Sequence, residues 1–231
     1  GTHTTGLADS VAAARAADVA VVFLGLPERA ESEGFDRADI ELPAEQVDLA
    51  LAVLDANPRT VVVLSHGGVL RLAPLDGVPA IVDGALLGQA GGAALADVLY
   101  GAVNPSGRLT ETVPLRLQDS PAHLDFPGEH GHVRYGEGLF VGYRWYDARG
   151  LEVTFPFGHG LSYTTFEHSD LRLTAGPDGI TATVTVTNTG TRTGHEVVQL
   201  YTALPDSAVA RPQRELKGFA VVEVAPGLNS S

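Results

Sequence analysis

Two short apolar runs constrain this chain more than any other feature. Val19-Ala20-Val21-Val22-Phe23-Leu24 and Thr60-Val61-Val62-Val63-Leu64 are almost free of polar residues and rich in β-branched side chains. Continuous runs of this kind suit strands covered on both faces, the usual state of a parallel sheet. Between them Pro43 stands where a first helical turn tolerates proline. Val47, Ala50, Leu51 and Leu54 then share one helical face that stops at Asn57-Pro58. Leu7, Val11 and Ala14 predict a helix over residues 7–17, and residues 79–82 predict a third strand. Gly88-Gln89-Ala90-Gly91-Gly92 opens a further helix with Ala94, Leu95, Val98 and Leu99 inward, closed by Gly101. Residues 108–113 read as one more strand, ended by Pro114. Strands alternating with helices predict an α/β domain over residues 1–117, a mostly parallel sheet flanked by helices.

The texture then changes twice. Residues 118–165 are rich in Gly, Pro, His and aromatics, with weak periodicity, and read as a connecting arm. Its rings, Tyr135, Phe140, Tyr143, Trp145, Tyr146, Phe155, Phe157 and Tyr163, would either stack on a sugar or pack the arm in place. From Leu171 the pattern is all-β. Residues 181–187 alternate strictly, Asn188-Thr189-Gly190 turns, and residues 196–202 and 219–224 supply further strands. This reads as a β-sandwich over residues 166–231 that is cut short, because about four strands are visible where such a sandwich has about seven.

Charge and composition exclude several function classes. A net charge of -13 argues against binding a nucleic-acid backbone and against docking on anionic membranes. No apolar run approaches the ~20 residues of a membrane span. The absence of cysteine removes disulfides, thiolate nucleophiles and cysteine-ligated zinc, and leaves the compartment, cytoplasmic or secreted, open. The chain opens on Gly1-Thr2-His3-Thr4-Thr5 with no signal-peptide pattern. Abundant Ala, Gly and Val, with Lys217 as the lone lysine, fit a GC-rich bacterial genome.

The first apolar run leads into Glu31-Ser32-Glu33-Gly34-Phe35-Asp36-Arg37, three carboxylates and a guanidinium around a glycine. A loop at the end of a buried strand is where α/β proteins commonly place their chemistry, and a loop carboxyl can serve as a general acid. A solvated charged loop is the plain alternative. Gly34 gives the backbone freedom to aim a neighbour, and Asp36-Arg37 would pin the loop through charged hydrogen bonds. Gly88-x-x-Gly91-Gly92 would cradle a phosphate or allow close packing; its spacing fits neither common nucleotide loop, which favours packing. His130-x-His132 with nearby His123 lacks a metal-ligand pattern, and Ser65-His66 lacks a nucleophile elbow.

Taken together the segments resemble the C-terminal half of a glycoside hydrolase family 3 β-glucosidase. The resemblance is carried by Glu31 to Arg37, by Asn104-Pro105-Ser106-Gly107-Arg108-Leu109, by Tyr135-Gly136-Glu137-Gly138-Leu139-Phe140-Val141-Gly142-Tyr143-Arg144, and by Phe155-Pro156-Phe157-Gly158-His159-Gly160-Leu161-Ser162-Tyr163-Thr164. The order matches the family's α/β sandwich, connecting arm and fibronectin type III-like domain. The resemblance implies a retaining glycosidase acting on terminal non-reducing β-D-glucosyl residues of a β-glucoside or oligosaccharide, with no cofactor and no metal. Its nucleophile would lie in a barrel domain missing here. The family glutamate stands immediately before Gly-aromatic-Asp-Arg, which implies Glu33 as the general acid/base, with Glu31 as its competitor and Gly34, Asp36 and Arg37 as loop support. The opening strand and helix of the α/β domain are also expected to be missing. Asp83-Gly84-Ala85-Leu86-Leu87-Gly88-Gln89-Ala90 replaces the tryptophan and Pro-Gly-Gln-Glu of many relatives, which bears on any sugar contact from that loop. Two rivals stand beside this reading: a non-catalytic carbohydrate-binding or scaffold module that uses the aromatic arm, and nucleotide binding at Gly88 to Gly92.

Overall fold

The computed structural model describes residues 6–230, so the outer limits of the two expected domains, at residues 1–5 and 231, lie outside the described residues. The chain forms two compact units. The first comprises the chain up to Gly92 with Thr112–Gly136 and Leu151–Phe155; the second comprises Ala93–Glu111, Glu137–Gly150 and the chain from Pro156 onward.

The first unit is built on three parallel strands in sequence order, β1 (Ala20–Gly25), β2 (Thr60–Ser65) and β3 (Ala80–Asp83). Val22 pairs with Val62, and Val62 with Ile81. Helix α1 (Leu7–Ala16) packs on α2 (Ala44–Ala56), which packs on β1 and β2. Val22, Leu24, Ala50, Val53, Val62, Val63 and Leu64 form the core. Asn57 is buried where α2 ends; its Nδ2 donates to Ala14 O and Ala17 O, so one amide joins the ends of two helices.

Three expectations need correction. The first run is covered on one face only: Ala20, Val22 and Leu24 are buried, while Val21 and Phe23 are 41% and 63% exposed. The reason is that no described element covers the second face of β1. Leu51 and Ala94 lie outward rather than in the helix faces assigned to them, and Val53 takes the inward place on α2. The strand expected over residues 108–113 shrinks to β4 (Val113–Pro114), antiparallel to β5 (Val153–Phe155). Residues 108–109 are diverted into loop bonds, Leu109 N–H to His159 O and Gly158 N–H to Leu109 O, both 2.8 Å. Helix α3 (Gly91–Leu99) matches its expected place and ends before Gly101, whose φ of +74° needs a glycine.

The second unit holds the short helix α4 (Tyr143–Arg149) and five antiparallel strands. Strands β6 (Phe166–Gly176), β7 (Gly179–Asn188) and β10 (Asn229–Ser230) form one sheet, and β8 (Gly194–Thr202) pairs with β9 (Glu215–Val224). Asn188 is 1% exposed and fully engaged. Its Oδ1 accepts from Thr164 Oγ1 and Gly190 N, and its Nδ2 donates to Arg192 O and Val224 O. Part of the aromatic arm is packed: Tyr143 and Tyr146 are buried, and Tyr143 stacks on Phe157 at 4.9 Å and meets Tyr201 edge-on at 5.9 Å. In contrast, Tyr135 is 85% exposed.

Candidate active site

The site is a loop between β1 and α2, fastened at both ends and along its length. At its start, Gly25 lies so close to β2 that a Cβ there would sit 2.5 Å from Ser65 O. Gln46 of α2 closes this end: Gly25 N–H donates to its Oε1 at 2.8 Å, and its Nε2 donates to Gly25 O at 2.9 Å. A side-chain amide thus takes the bonds a neighbouring strand would otherwise make on this edge. At the far end Ile40 and Leu42 are buried, Arg71 N–H donates to Ile40 O, and Arg71 Nε donates to Glu41 Oε1 at 2.6 Å.

Between these anchors the four charged groups divide. Glu31 turns inward: its Oε2 accepts the Gly67 N–H at 2.8 Å, and its Oε1 lies 4.0 Å from Arg37 Nη1. Arg37 Nη1 also donates to Val69 O at 3.1 Å. Both side chains therefore tie the loop to the turn that follows β2. Glycine at position 67 leaves room for this contact: a Cβ there would fall 2.9 Å from Glu31 Oε1, and the carboxylate would have to shift. A tight turn at Ser32–Phe35, with Gly34 N–H on Ser32 Oγ at 3.1 Å, carries Glu33 at its tip. Glu33 and Asp36 are exposed, and neither has a hydrogen bond or ion pair among the described residues. A cavity of about 240 Å³ lies beneath, lined by Leu26, Phe35, Asp36, Arg37 and Asp39 among others. Arg37 Nη2 is buried without a hydrogen-bond acceptor among the described residues.

The floor of the loop is a group that sequence reasoning missed. His66 is 7% exposed; its Nδ1 lies 2.7 Å from Gly68 O and its Nε2 lies 3.1 Å from Asp83 Oδ1. The hydrogen bond from His66 is the main cause holding the Asp83 carboxyl below the usual carboxylate range, and the Ala85 N–H acts in the same sense. Ser65 Oγ donates to Ala85 O, and both His66 ring nitrogens face other oxygens. The available signal was topological: parallel neighbours β2 and β3 bring their C-terminal ends together, and His66 and Asp83 stand at those ends.

The other candidates separate. A Cβ on Gly91 would lie 2.8 Å from Leu87 Cβ, so this glycine permits close packing of a helix start on its own preceding loop. His130 has a positive φ of 51° in a turn closed by Glu129 and His132. Among the described residues no group of three His, Cys, Asp or Glu side chains is placed to hold a metal. No helix among the described residues is long and apolar enough to cross a membrane.

The profile of the Glycosyl hydrolase family 3 C-terminal domain matches residues 3–163, and that of the fibronectin type III-like domain matches residues 196–230. Thermostable β-glucosidase B of Acetivibrio thermocellus is 50% identical over 219 residues, covering 93% of this chain and 29% of that protein. Exo-α-(1→6)-L-arabinopyranosidase of Bifidobacterium breve is 49% identical over 221 residues, again covering 29% of its own length. The crystal structure of a family 3 β-glucosidase from Bifidobacterium adolescentis superposes with a TM-score of 0.94 at 49% identity, over 100% of this chain and 34% of that one. A Kluyveromyces marxianus β-glucosidase in complex with glucose gives 0.91 at 44% identity, over 98% of this chain and 27% of that one. This chain thus spans under a third of the length of the curated relatives it matches here.

Proposed function

The chain belongs to glycosyl hydrolase family 3, as a C-terminal segment, and from that premise we propose that it supplies the general acid/base of a retaining β-glycosidase through Glu33. The observation that carries the proposal is the division of labour in the loop. Glu31 is spent on the Gly67 N–H and the Arg37 side of the loop, while Glu33 is exposed at the tip without a partner among the described residues. A carboxyl that must give and take a proton has to reach its substrate. Asp36 shares the exposure, and the family motif favours Glu33 over it.

In the proposed reaction a carboxylate of the barrel domain attacks the anomeric carbon while protonated Glu33 donates its proton to the glycosidic oxygen, and the bond to the leaving group breaks. Glu33, now a carboxylate, takes a proton from the water that displaces the sugar from the nucleophile. Retention requires the two carboxyls about 5–5.5 Å apart. Domain limits at residues 1–117, 118–165 and 166–231 remain part of this proposal. A β-D-glucoside is the substrate class we assign. A relative named as an arabinopyranosidase supports a scaffold that serves more than one sugar, and we assign specificity to the barrel. The carbohydrate-module alternative is narrowed, because Tyr143 and Tyr146 of the arm are buried and leave its other rings, Tyr135 among them, to meet a ligand.

The test is leaving-group dependence in the intact enzyme that contains this segment. Glu33→Ala should slow glycosides of poor leaving groups by roughly 10²–10⁴-fold and spare activated aryl glycosides far more. The same pattern from Glu31→Ala would move the assignment by two positions.

A further inference from the structure

We propose that His66 and Asp83 are positioning residues for the Glu31 to Arg37 loop: held as an imidazolium–carboxylate pair, they fix the turn whose Gly67 N–H and Val69 carbonyl grip that loop. The inference rests on the reading of Glu33 as acid/base and extends it to the groups that hold the loop in place.

Donor counting carries it. His66 Nδ1 is 2.7 Å from Gly68 O, and a carbonyl oxygen only accepts. His66 Nε2 is 3.1 Å from Asp83 Oδ1, an oxygen that also accepts the Ala85 N–H at 3.1 Å. An aspartate is ionised near neutral pH, and the Ala85 N–H on the same oxygen favours that form, so this oxygen accepts. Both ring nitrogens then donate, and an imidazole that donates twice is charged. The side chains are 8% and 30% exposed, so either charge alone would be costly and each offsets the other.

The placement of the pair gives it a consequence. The ring bonds Gly68 O; Gly67, the residue between, gives its N–H to Glu31, and Val69, the residue after, takes the Arg37 guanidinium on its carbonyl. Among the described residues, the charged groups facing this turn include Asp83 from β3 and Glu31 and Arg37 from the loop. An amide at position 83 keeps an accepting oxygen but removes the negative charge that stabilises the second ring proton. The bonds of the His66 backbone N–H and Ser65 Oγ to Ala85 O remain, the charged tie from the ring to Asp83 is lost, and the grip on Glu31 loosens while Glu33 itself is untouched.

Two measurements test this. In the 231-residue chain with isotope-labelled histidine, nuclear magnetic resonance at about pH 8, where an ordinary histidine is neutral, should show both ring nitrogens of His66 protonated. A single protonated nitrogen overturns the proposal without any substitution being needed. In the intact enzyme, Asp83→Asn should lower kcat on poor-leaving-group glycosides roughly tenfold to a hundredfold, with KM changed by less than about twofold. Added to Glu33→Ala it should cost nothing further, because a loop without its acid has nothing left to aim; additive losses overturn the positioning role. If Glu33→Ala leaves those substrates unaffected, the acid/base reading falls, and the positioning claim falls with it whatever the ring carries.

Discussion

At the scale of single residues, the site is an arrangement of short polar contacts around two glycines. A methyl group at Gly67 would meet only the far end of the flexible Glu31 side chain, so Gly67→Ala should fold normally and displace Glu31. The expected outcome is a stability change within about 1 kcal/mol by denaturant titration, with kcat/KM of the intact enzyme down roughly tenfold or more. A variant that unfolds, or one with unchanged kinetics, would contradict this. Asp83 and His159 give two pH signatures. The folded Asp83 carboxyl lies below its unfolded value, so the stability it adds is present above about pH 3.9 and is lost as pH falls through the lower folded value. Asp83→Asn should flatten the acid limb of a stability–pH curve. His159 is lowered chiefly by burial, with Arg108 adding to it. The unfolded chain therefore takes up its proton first on acidification, and stability should decline as pH falls below about 6.5. That decline should be absent in His159→Gln.

At the scale of elements, two side-chain amides do work that backbone pairing usually does. Gln46 closes the free edge of β1 with two hydrogen bonds, and Gln46→Ala should cost about 1–2 kcal/mol. Asn188 bonds four groups from a 1% exposed position. Asn188→Ala would strand Val224 O and Arg192 O and should speed amide exchange along β7 by the equivalent of about 2–3 kcal/mol. These elements also show what a sequence can convey. The order β1-α2-β2-β3-α3 was legible because apolar runs and helical spacing are local properties. The bare face of β1 was not, because Val21 and Phe23 look the same in a run whether or not something covers them. Helix α4 was hidden in a Gly- and aromatic-rich stretch, and a helix of seven residues has too few turns to display a period. In the loop, spacing singled out four charged residues and the family motif chose among them. The fastening of Glu31 to Gly67 spans 36 positions and exists only once β1 and β2 are neighbours.

At the scale of the whole molecule, the chain carries the proposed acid/base and spans 29% of relatives whose activity is that of complete enzymes. A retaining glycosidase needs two carboxyls, and the second is assigned to the barrel domain. The purified 231-residue chain should therefore not turn over an aryl β-glucoside; turnover that Glu33→Ala abolishes would contradict this. The most direct measurement is made on the intact enzyme bearing Glu33→Ala, with azide added to an activated aryl β-glucoside. With the carboxylate gone, azide can reach the glycosyl-enzyme without a base. The predicted result is restored turnover yielding a glycosyl azide of the substrate's own anomeric configuration, with no such product from Glu31→Ala. Rescue of Glu31→Ala instead, or a glycosyl azide of inverted configuration, would contradict Glu33 as the acid/base of a retaining enzyme.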